Sequence, residues 1–408
     1  MRYIIRHSAA VLKRLTASFP VVLVTGPRQV GKTTLLRHSQ GTRRAGYLSF
    51  DDPASVHSVR ADAKTFLAIH PSPVVFDEIQ YVPELFPYLK MAVDGRKRAG
   101  QYYLTGSQQF QLMKNVSESL AGRIGILQLL GLSLREIAGD KFARPFKPTR
   151  DYLTARNKNA RGRSAAELWR IIYTGTFPAV VTGQAARDDF YSAYIKTYIE
   201  RDVRLLTQVG DELQFMQFIT VAASRTAQMV NYRDMARDAG ISEPTAKKWL
   251  SILVTSGLVY LLPPYAANVA KRVVKTPKLY FLDTGLAAYL TKWNTPEVLR
   301  EGAASGAFFE TFVLAEILKS YYNTGLNPAL FYYRDKDQKE IDLLIMENGC
   351  LYPLEIKKTA NPQPHDAAAF KVLSAIKNLQ LGNGGVICSC DTLGILAKDC
   401  YAIPTGLI

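Results

Sequence analysis

A glycine-rich loop with a lysine carries the clearest chemistry in the sequence, in the pattern Gly26-x4-Gly31-Lys32-Thr33 after an apolar run at 21–25. Glycines let backbone N–H groups wrap around phosphates, and the N-terminus of a following helix favours their negative charge. Lys32 would reach the β and γ phosphates, and Thr33 would supply a hydroxyl to Mg²⁺. The loop predicts ATP bound with Mg²⁺. The residues expected to contact it are Gly26, Pro27, Arg28, Gln29, Val30, Gly31, Lys32, Thr33 and Thr34.

Two adjacent carboxylates, Asp77 and Glu78, follow a second apolar run at 73–76. We expect Asp77 in the coordination shell of Mg²⁺ and Glu78 as the residue that orients and activates the attacking water. Phosphoryl transfer depends on positioning and electrostatics more than on covalent chemistry, so a pair of acids is sufficient. The pair predicts hydrolysis of ATP to ADP and phosphate.

A third apolar stretch at 102–104 is followed by polar residues that would lie near the same phosphates. Ser107 is the first choice, and Thr105 the second, for a hydrogen bond to the water or the γ phosphate. Arg123 follows 16 residues after Ser107. In a ring or dimer it would act as an arginine finger on a neighbour's γ phosphate, an effect worth about 10³–10⁵ in rate. The alternative is a surface arginine that caps a helix end.

The elements that must position these residues are strands and helices in alternation over the first 135 residues. This pattern is typical of a parallel sheet covered by helices. Because ligands bind at the carboxyl ends of strands in open α/β sheets, we expect the polar residues to meet at one edge. A helix is predicted at 34–38, and strands are predicted at 21–25, 47–50, 74–77, 101–105 and 126–130.

These motifs in this order resemble those of the AAA+ ATPases. Residues 20–130 most closely resemble an archaeal and bacterial AAA+ group that carries an uncharacterised C-terminal region. Sequences at 175–178, 198–203 and 280–286 match that region, although no role follows from their residues. The resemblance implies Walker A and Walker B motifs in an AAA+ P-loop core at 1–140, and a homo-oligomer, with a hexameric ring as one arrangement. Unlike many AAA+ proteins, the chain has no clear second sensor arginine.

Composition restricts the class of protein. The chain of 408 residues is long enough for about two to four domains. No window reaches the roughly 18 uninterrupted apolar residues of a membrane span, and the N-terminus lacks the apolar core of a signal peptide. Cys388 and Cys390 have no further His or Cys at zinc-site spacing, so we interpret them as ordinary thiols in or near a strand. These features predict a cytoplasmic protein.

The charge is strongly basic, with a net +16 and a pI near 9.5. Such a balance favours a polyanionic partner, nucleic acid before membrane. Between Lys141 and Arg163 there are eight basic residues and only one acid, Asp151. This stretch opens a basic helical connector or lid, predicted at 141–208, and is interpreted as either a solvated linker or a phosphate-contacting loop.

A winged helix-turn-helix is predicted at 209–265. Residues 231–240 read as a helix ending in a glycine turn, and Ser242 would cap a second helix before a wing strand. In such a fold the second helix enters the major groove, where Thr245, Lys247 and Lys248 would contact DNA. The alternative is a module that binds protein.

The last predicted domain, at 266–408, has the pattern of the PD-(D/E)xK nucleases, which have a restriction-endonuclease-like α/β fold. Asp342 and the pair Glu355 and Lys357 lie on two strands joined by a turn at Asn348-Gly349, and strand alternation puts Glu355 and Lys357 on one side. The carboxylates would share a Mg²⁺ while Lys357 supports the developing charge. Glu310 would be the helix acid. The fold could also be retained only for binding.

We therefore predict an α/β multidomain protein that hydrolyses ATP and acts on DNA. An ATPase followed by a winged helix is similar to Holliday-junction branch-migration motors and to initiator-type ATPases, and this resemblance implies branched DNA such as Holliday junctions as a candidate substrate. Two alternatives stay open. One is an ATP-gated DNA nuclease. The other is an ATP-binding regulatory switch whose winged helix binds protein.

Overall fold

The computed structural model describes residues 3–39, 42, 45–96, 98–107, 116, 118–160, 162–198, 212–266, 276–376 and 379–408. The family sequence at 198–203 therefore lies outside the described residues, apart from its first residue. Within these ranges, no helix combines the length and the apolar character needed to cross a bilayer.

A parallel sheet forms the N-terminal part, with its strands in the order β2-β3-β4-β1-β5. The strands are β1 (Val21–Thr25), β2 (Gly46–Ser49), β3 (Val74–Asp77), β4 (Tyr102–Gly106) and β5 (Ile124–Gln128). The predicted parallel sheet is confirmed, and β1 and β3 have the predicted bounds. β2 and β4 are each displaced by one residue.

Two predicted elements had bounds that were wrong by two residues. The fifth strand was predicted at 126–130, but the ladder with β1 pairs Val21 with Ile124 and Thr25 with Gln128, so it ends where β1 ends. Leu129 and Leu130 are buried without extending the ladder, and their apolar character misplaced the prediction. Helix α2 (Lys32–His38), predicted from 34, begins directly after the loop.

The two faces of the sheet belong to different cores. Val22 and Val24 face one core, whereas Val21 and Leu23 face the other. This alternation is expected for strands that are buried on both sides. The second core is closed by α3 (Pro53–Ala61), α4 (Ala63–Ile69) and α5 (Leu85–Arg96), and the first contains α1 (Ser8–Ser18) and continues into the rest of the chain.

Helices dominate the next segment: α6 (Leu134–Ile137), α7 (Arg150–Asn157), α8 (Ala165–Thr174), α9 (Pro178–Val181) and α10 (Arg187–Tyr198). The interpretation of the basic stretch as a solvated linker is wrong for its middle part. Phe146, Tyr152 and Arg156 are buried. The Tyr152 hydroxyl donates to the carbonyl of Leu407 at 3.1 Å, so this part packs against the C-terminus.

The segment predicted as a winged helix contains α11 (Glu212–Ser224), β6 (Gln228–Met229), α12 (Tyr232–Asp238), α13 (Glu243–Thr255), β7 (Val259–Leu262) and β8 (Lys278–Phe281). The three strands pair antiparallel in the order β6-β8-β7. Gly240 has a φ of +66°, and the Ser242 side chain accepts from the Thr245 N–H at 3.3 Å. The predicted glycine turn and serine cap are confirmed.

The C-terminal part is a mixed sheet with helices. Helices α14 (Thr284–Leu290), α15 (Pro296–Glu301) and α16 (Ser305–Tyr322) precede β9 (Ala329–Arg334), β10 (Glu340–Glu347), β11 (Cys350–Lys357), β12 (Gln380–Leu381), β13 (Gly384–Cys388), β14 (Gly394–Ala397) and β15 (Cys400–Pro404). The main order is β14-β15-β13-β11-β10-β9, with β12 beside β11. Asn348 and Gly349 both have positive φ and join β10 to β11, as predicted. The cysteines are free thiols, and Cys388 ends β13.

Candidate functional site

The glycine-rich loop joins β1 to α2 and packs tightly against the chain beyond β5. Gly26 has a φ of +144°, and a Cβ on it would lie 2.0 Å from the carbonyl oxygen of Leu129, so only glycine fits. Lys32 is buried, and its Nζ donates to the carbonyls of Gly26 and Pro27 at 3.0 and 2.8 Å. An ammonium group held by carbonyl oxygens at a helix N-terminus can also donate to phosphate oxygens.

The carboxylate of Asp77 is fixed by three hydroxyl groups. Its Oδ1 accepts from the hydroxyl of Thr33 at 2.8 Å and from that of Thr105. Its Oδ2 accepts from the hydroxyl of Tyr47 at 2.7 Å. Burial, and then the bond to Asp77, raise the pKa of Tyr47 to about 12, so it stays a donor at neutral pH. Thr33 and Asp77, predicted to share Mg²⁺, are therefore adjacent.

Glu78 is the first residue beyond β3 and has a φ of +56°, an unusual backbone conformation for a glutamate. Its Oε2 accepts from the amide of Gln80 and from the hydroxyl of Ser107 at 3.4 Å. Its N–H donates to the hydroxyl of Thr105 at 3.1 Å. Ser107 therefore lies beside Glu78 as expected, whereas Thr105 serves Asp77 and the backbone.

Sequence reasoning missed Tyr47 and Gln80. Tyr47 lies inside β2, two residues before the strand ends, where a polar group is not expected to serve a ligand edge. Gln80 lies in a short 3₁₀ turn, Ile79–Tyr81, after the acidic pair. Its proximity in sequence to Glu78 was a usable signal, whereas nothing local marked Tyr47.

A cavity of about 430 Å³ lies over the loop. Residues 29–34 and Glu78 line it, whereas Gly26, Pro27 and Arg28 do not. Arg28 instead donates to the hydroxyl of Tyr81 at 3.2 Å. The opposite side is formed by Tyr3, Ile4, Arg6, His38 and Leu132 and by the wall residues Pro178, Ala179, Thr182 and Gln184. The size suits a small organic ligand.

Arg123 does not line this cavity. It lies on the surface, where its guanidinium makes two bonds to the Asp94 carboxylate, at 2.5 and 3.0 Å. The bond from Arg123 lowers the pKa of Asp94. The carbonyl of Arg123 accepts from the N–H of Val21, at the end of β1 opposite the loop. Within one chain, Arg123 is therefore paired with Asp94 and lies outside this cavity.

A second cluster forms on the β10–β11 hairpin. The Nζ of Lys357 lies 2.8 Å from Oε2 of Glu355 and 3.4 Å from Oδ2 of Asp342. Oδ2 of Asp342 also accepts from the N–H of Ile356 at 2.8 Å. Burial, and then the charge of Asp342, raise the pKa of Glu355 to about 9. The hairpin thus brings the three predicted residues together.

Glu310, on α16, belongs to the same electrostatic environment. Its Oε1 accepts from Nζ of Lys278 at 3.2 Å and from the hydroxyl of Tyr280 at 2.6 Å. Burial, and then the charge of Asp342, raise its pKa to about 7. Lys278 also pairs with Glu340, and sequence reasoning missed it because it lies on β8, outside the motif. A buried cation therefore already occupies one oxygen of Glu310.

The two predicted Mg²⁺ sites meet different requirements. Among the described residues, no group of three or more His, Cys, Asp or Glu side chains is placed to hold a metal. Mg²⁺ bound to ATP needs only one or two protein ligands, so Thr33 with Asp77 is sufficient. On the hairpin, Oε1 of Glu355 is buried without a hydrogen-bond partner in the described structure, which fits a cation there.

On α13, Lys247 and Lys248 are exposed and Thr245 is partly buried. Nζ of Lys247 lies 2.9 Å from a carboxylate oxygen of Glu243 and 5.5 Å from the ring centre of Tyr232. Glu243 is exposed, so its ion pair with Lys247 is weak, and Tyr232 is partly buried. The lysines are therefore accessible to a phosphate backbone.

Family models match most of the chain. Residues 18–138 match an AAA domain. Residues 165–297 and 305–407 match two domains of unknown function, DUF8612 and DUF4143. The uncharacterized proteins Rv2008c of Mycobacterium tuberculosis and Mb2031c of Mycobacterium bovis are each 30% identical over 406 residues, which is 99% of this chain and 84% of theirs.

Two solved structures show more distant likeness. The Walker-type ATPase PABY2304 of Pyrococcus abyssi is 15% identical, with a TM-score of 0.44 over 69% of this chain and 94% of that one. The RuvB Holliday junction branch migration motor of Thermotoga maritima is 17% identical, with a TM-score of 0.32 over 64% of this chain and 90% of that one. Likeness this distant says nothing about the activity of this chain.

Proposed function

This chain belongs to the family of the mycobacterial proteins Rv2008c and Mb2031c and contains an AAA domain, and from this premise we propose that it binds and hydrolyses ATP. The meeting of Thr33, Asp77 and Glu78 at one edge of the sheet carries the proposal. Hydrolysis requires this arrangement, with a metal ligand beside the loop and a second carboxylate able to orient water.

Each residue then has a stated part. Lys32 would donate to the β and γ phosphates. Thr33 and Asp77 would hold Mg²⁺, which would supply positive charge against the charge that develops on the phosphate oxygens. Glu78 orients the attacking water and accepts its proton, with Ser107 as a hydrogen-bond partner of the carboxylate at 3.4 Å. The Gln80 amide and the Ser107 hydroxyl both donate to Oε2, so Oε1 is the oxygen that would accept from the attacking water.

The test compares ATP binding and turnover in Glu78→Gln and Lys32→Ala. Glu78→Gln is expected to bind ATP as the wild type does but to hydrolyse it about 10²–10⁴ times more slowly, the usual contribution of a general base. Lys32→Ala should lose binding. Glu84→Gln is the matched control, because Glu84 pairs with Arg60 on the surface nearby. A wild type that does not bind ATP, or normal turnover in Glu78→Gln, contradicts the proposal.

The proposed active form is a homo-oligomer in which Arg123 reaches the site of the adjacent subunit. Arg123→Ala should bind ATP yet hydrolyse it slowly. Mixing Arg123→Ala with Glu78→Gln should restore turnover, because one subunit then supplies an intact site and the other the arginine. Each variant alone is the control. If the mixture is as slow as its components, Arg123 has no role in a neighbour's site.

The proposed target of this activity is DNA. The net charge of +16 and the exposed Lys247 and Lys248 support it. ATPase rates measured with single-stranded, duplex and four-way-junction DNA test it, and the greatest stimulation by the junction would identify branched DNA. Slow turnover that no DNA changes, with no DNA binding at physiological salt, would favour the regulatory switch.

A second candidate function is DNA cleavage, favoured by the cluster of Asp342, Glu355 and Lys357, in which Oε1 of Glu355 is buried with no hydrogen-bond partner among the described residues. In this role Asp342 and Glu355 would hold Mg²⁺ and Lys357 would support the nucleophile. Glu355→Ala and Lys357→Ala should each abolish Mg²⁺-dependent loss of DNA. Lys358→Ala is the matched control, because Lys358 contacts Ser305 instead. Cleavage that survives both changes would exclude the assignment.

A further inference from the structure

Two family sequences that the proposed hydrolysis leaves without a role, at 175–178 and 280–286, lie against each other. Oδ2 of Asp283 accepts from the N–H of Thr176 at 2.7 Å and from its hydroxyl at 2.9 Å. Oδ1 accepts from the hydroxyl of Tyr191 at 2.7 Å and from the N–H of Leu286 at 2.9 Å. Thr176 and Asp283 are 2% and 9% exposed. A buried carboxylate with four donors is held firmly.

The two backbones also approach closely. Gly175 has a φ of +85°, and a Cβ on it would lie 2.5 Å from Oδ1 of Asp283 and 3.0 Å from Cα of Gly285. A Cβ on Gly285 would in turn lie 2.5 Å from Cα of Gly175. Side chains at either position would force the segments apart. The glycines of both sequences are therefore explained by this one contact.

Thr176 connects this contact to the AAA domain. Its carbonyl accepts from the N–H of Leu132 at 2.8 Å. The buried Nζ of Lys319 donates to the Thr176 hydroxyl at 3.2 Å and to the Leu132 carbonyl at 3.1 Å. Glu316 pairs with Lys319 at 2.8 Å and accepts from the N–H of Leu134 at 2.8 Å. Every polar atom of Thr176 is thus used, and α16 shares in the contact.

Helix α9 begins two residues after Thr176 and forms part of the cavity over the loop. Pro178, Ala179 and Thr182 line that cavity. Cγ of Pro178 lies 4.0 Å from the point where a Cβ on Gly31 would be, so the helix touches the glycine-rich loop. Because Thr176 lies two residues before α9, the bonds of Asp283 anchor the chain that leads into this wall.

We propose that Asp283 and Thr176 are positioning residues for the nucleotide: their contact holds α9 as the second wall of the cavity and links ATP binding to the placement of α14 and α16. The inference rests on the proposed binding of ATP. Coupling between two sites is reciprocal. If the contact between Thr176 and Asp283 increases the affinity for ATP, bound ATP stabilises that contact by the same factor. Neither residue touches the reacting atoms.

The decisive variant is Thr176→Val, which keeps the shape of the side chain and removes the hydroxyl between Asp283 and Lys319. KM for ATP should rise about tenfold, within the usual range of coupling between sites. kcat should change less than about twofold, because the wall contacts the ground state and the transition state alike. Thr176→Ser, which retains the hydroxyl, should restore the wild-type KM. The rise in Tm that ATP produces should shrink in Thr176→Val.

Thr226→Val is the matched control. Thr226 is 1% exposed, and its hydroxyl accepts from the N–H of Phe281 at 3.1 Å and lies 2.8 Å from that of Thr311. Thr226→Val therefore removes a comparably buried hydroxyl at a residue that does not line the cavity. Its Tm should fall while its KM for ATP stays that of the wild type.

Two results overturn the inference. They are a wild-type KM in folded Thr176→Val, whether or not kcat falls, and an equal rise of KM in Thr226→Val. If Thr176→Val fails to fold, Tyr191→Phe replaces it as the test, because it removes only one hydroxyl from Asp283. Tyr191→Phe should raise KM for ATP about threefold. An unchanged KM in this variant would likewise overturn the inference. A wild type that binds ATP no better than Lys32→Ala refutes the proposed function itself, which separates the two failures.

Discussion

Replacing Arg6 by methionine would break a buried ion pair that supports the glycine-rich loop. Nε of Arg6 lies 3.0 Å from Oε1 of Glu136, and the two side chains are 4% and 0% exposed. The guanidinium also donates to the carbonyls of Val30, in the loop, and Leu130, at 2.9 and 2.7 Å. Arg6→Met keeps much of the apolar stem but removes every one of these donors.

The expected cost is about 3–5 kcal/mol of unfolding free energy, the range for a buried pair that loses one partner. Glu136 keeps the N–H groups of His7 and Ser133, each at 2.8 Å, which limits the loss. The carbonyls of Val30 and Leu130 add to it, because a buried acceptor without a donor costs about 1–3 kcal/mol. The cost of the broken ion pair and the cost of the unpaired carbonyls partly describe the same lost bonds. The loss of unfolding free energy should therefore be smaller than their sum.

Urea unfolding at neutral pH, followed by circular dichroism, measures the loss. Burial alone would raise the pKa of Glu136, but Arg6 and the bonds from Ser133 and His7 outweigh it and lower the pKa. The contribution of the pair is therefore present at neutral pH and is lost as the pH falls through the acid range. Arg60→Met is the control, because Arg60 pairs with Glu84 on the surface, and it should cost less than about 1 kcal/mol.

The double variant Arg6→Met with Glu136→Gln separates charge from packing. Removing the buried charge should recover about 1–2 kcal/mol, since the unpaired carboxylate is the main penalty. The reasoning is refuted if Arg6→Met costs no more than Arg60→Met, or if Glu136→Gln adds its own full cost to that of Arg6→Met.

Three further outcomes are expected. Tyr47→Phe removes one hydroxyl from Asp77 and should raise the Mg²⁺ concentration for half-maximal ATPase activity about tenfold; an unchanged titration would contradict this. Because the folded chain raises the pKa of Glu355 to about 9, it retains a proton that the unfolded chain releases, so stability should fall as the pH rises from about 6 to 8. In Glu355→Gln, the midpoint of urea unfolding should fall less than in the wild type over the same pH range. Lys247→Ala and Lys248→Ala should each reduce the slope of log affinity for DNA against log salt by about 0.9, and equal slopes would exclude phosphate contacts.

Much of the fold followed from local patterns. The run at 21–25 and the acidic pair after 73–76 located β1 and β3 to the residue, because a buried parallel strand reads as an uninterrupted apolar run with polar residues at its end. The helix cap at Ser242 and the turn at Asn348 were also predictable, because each depends on residues only a few positions apart. The end of β5 was misplaced because the length of its partner decides it.

The side chains that bond the candidate site residues were harder to predict from the sequence. Tyr47 and Asp77 are 30 residues apart in sequence, and Lys278 and Glu310 are 32 apart, so neither pair leaves a periodic signal. Arg123 was chosen by its spacing from Ser107, whereas its partner Asp94 lies 29 residues away on α5. Side-chain partners across such distances are set by packing rather than by pattern.

The sequence by itself determined the phosphate loop, the two carboxylates after β3 and the parallel sheet, because each depends on residues that are neighbours along the chain. Only the tertiary structure showed that the sequences at 175–178 and 280–286 contact each other. Thr176 and Asp283 are 107 residues apart, and their bond exists only once α8 and α14 have packed against each other. A buried carboxylate needs donors from several elements, and no single stretch of sequence contains them all.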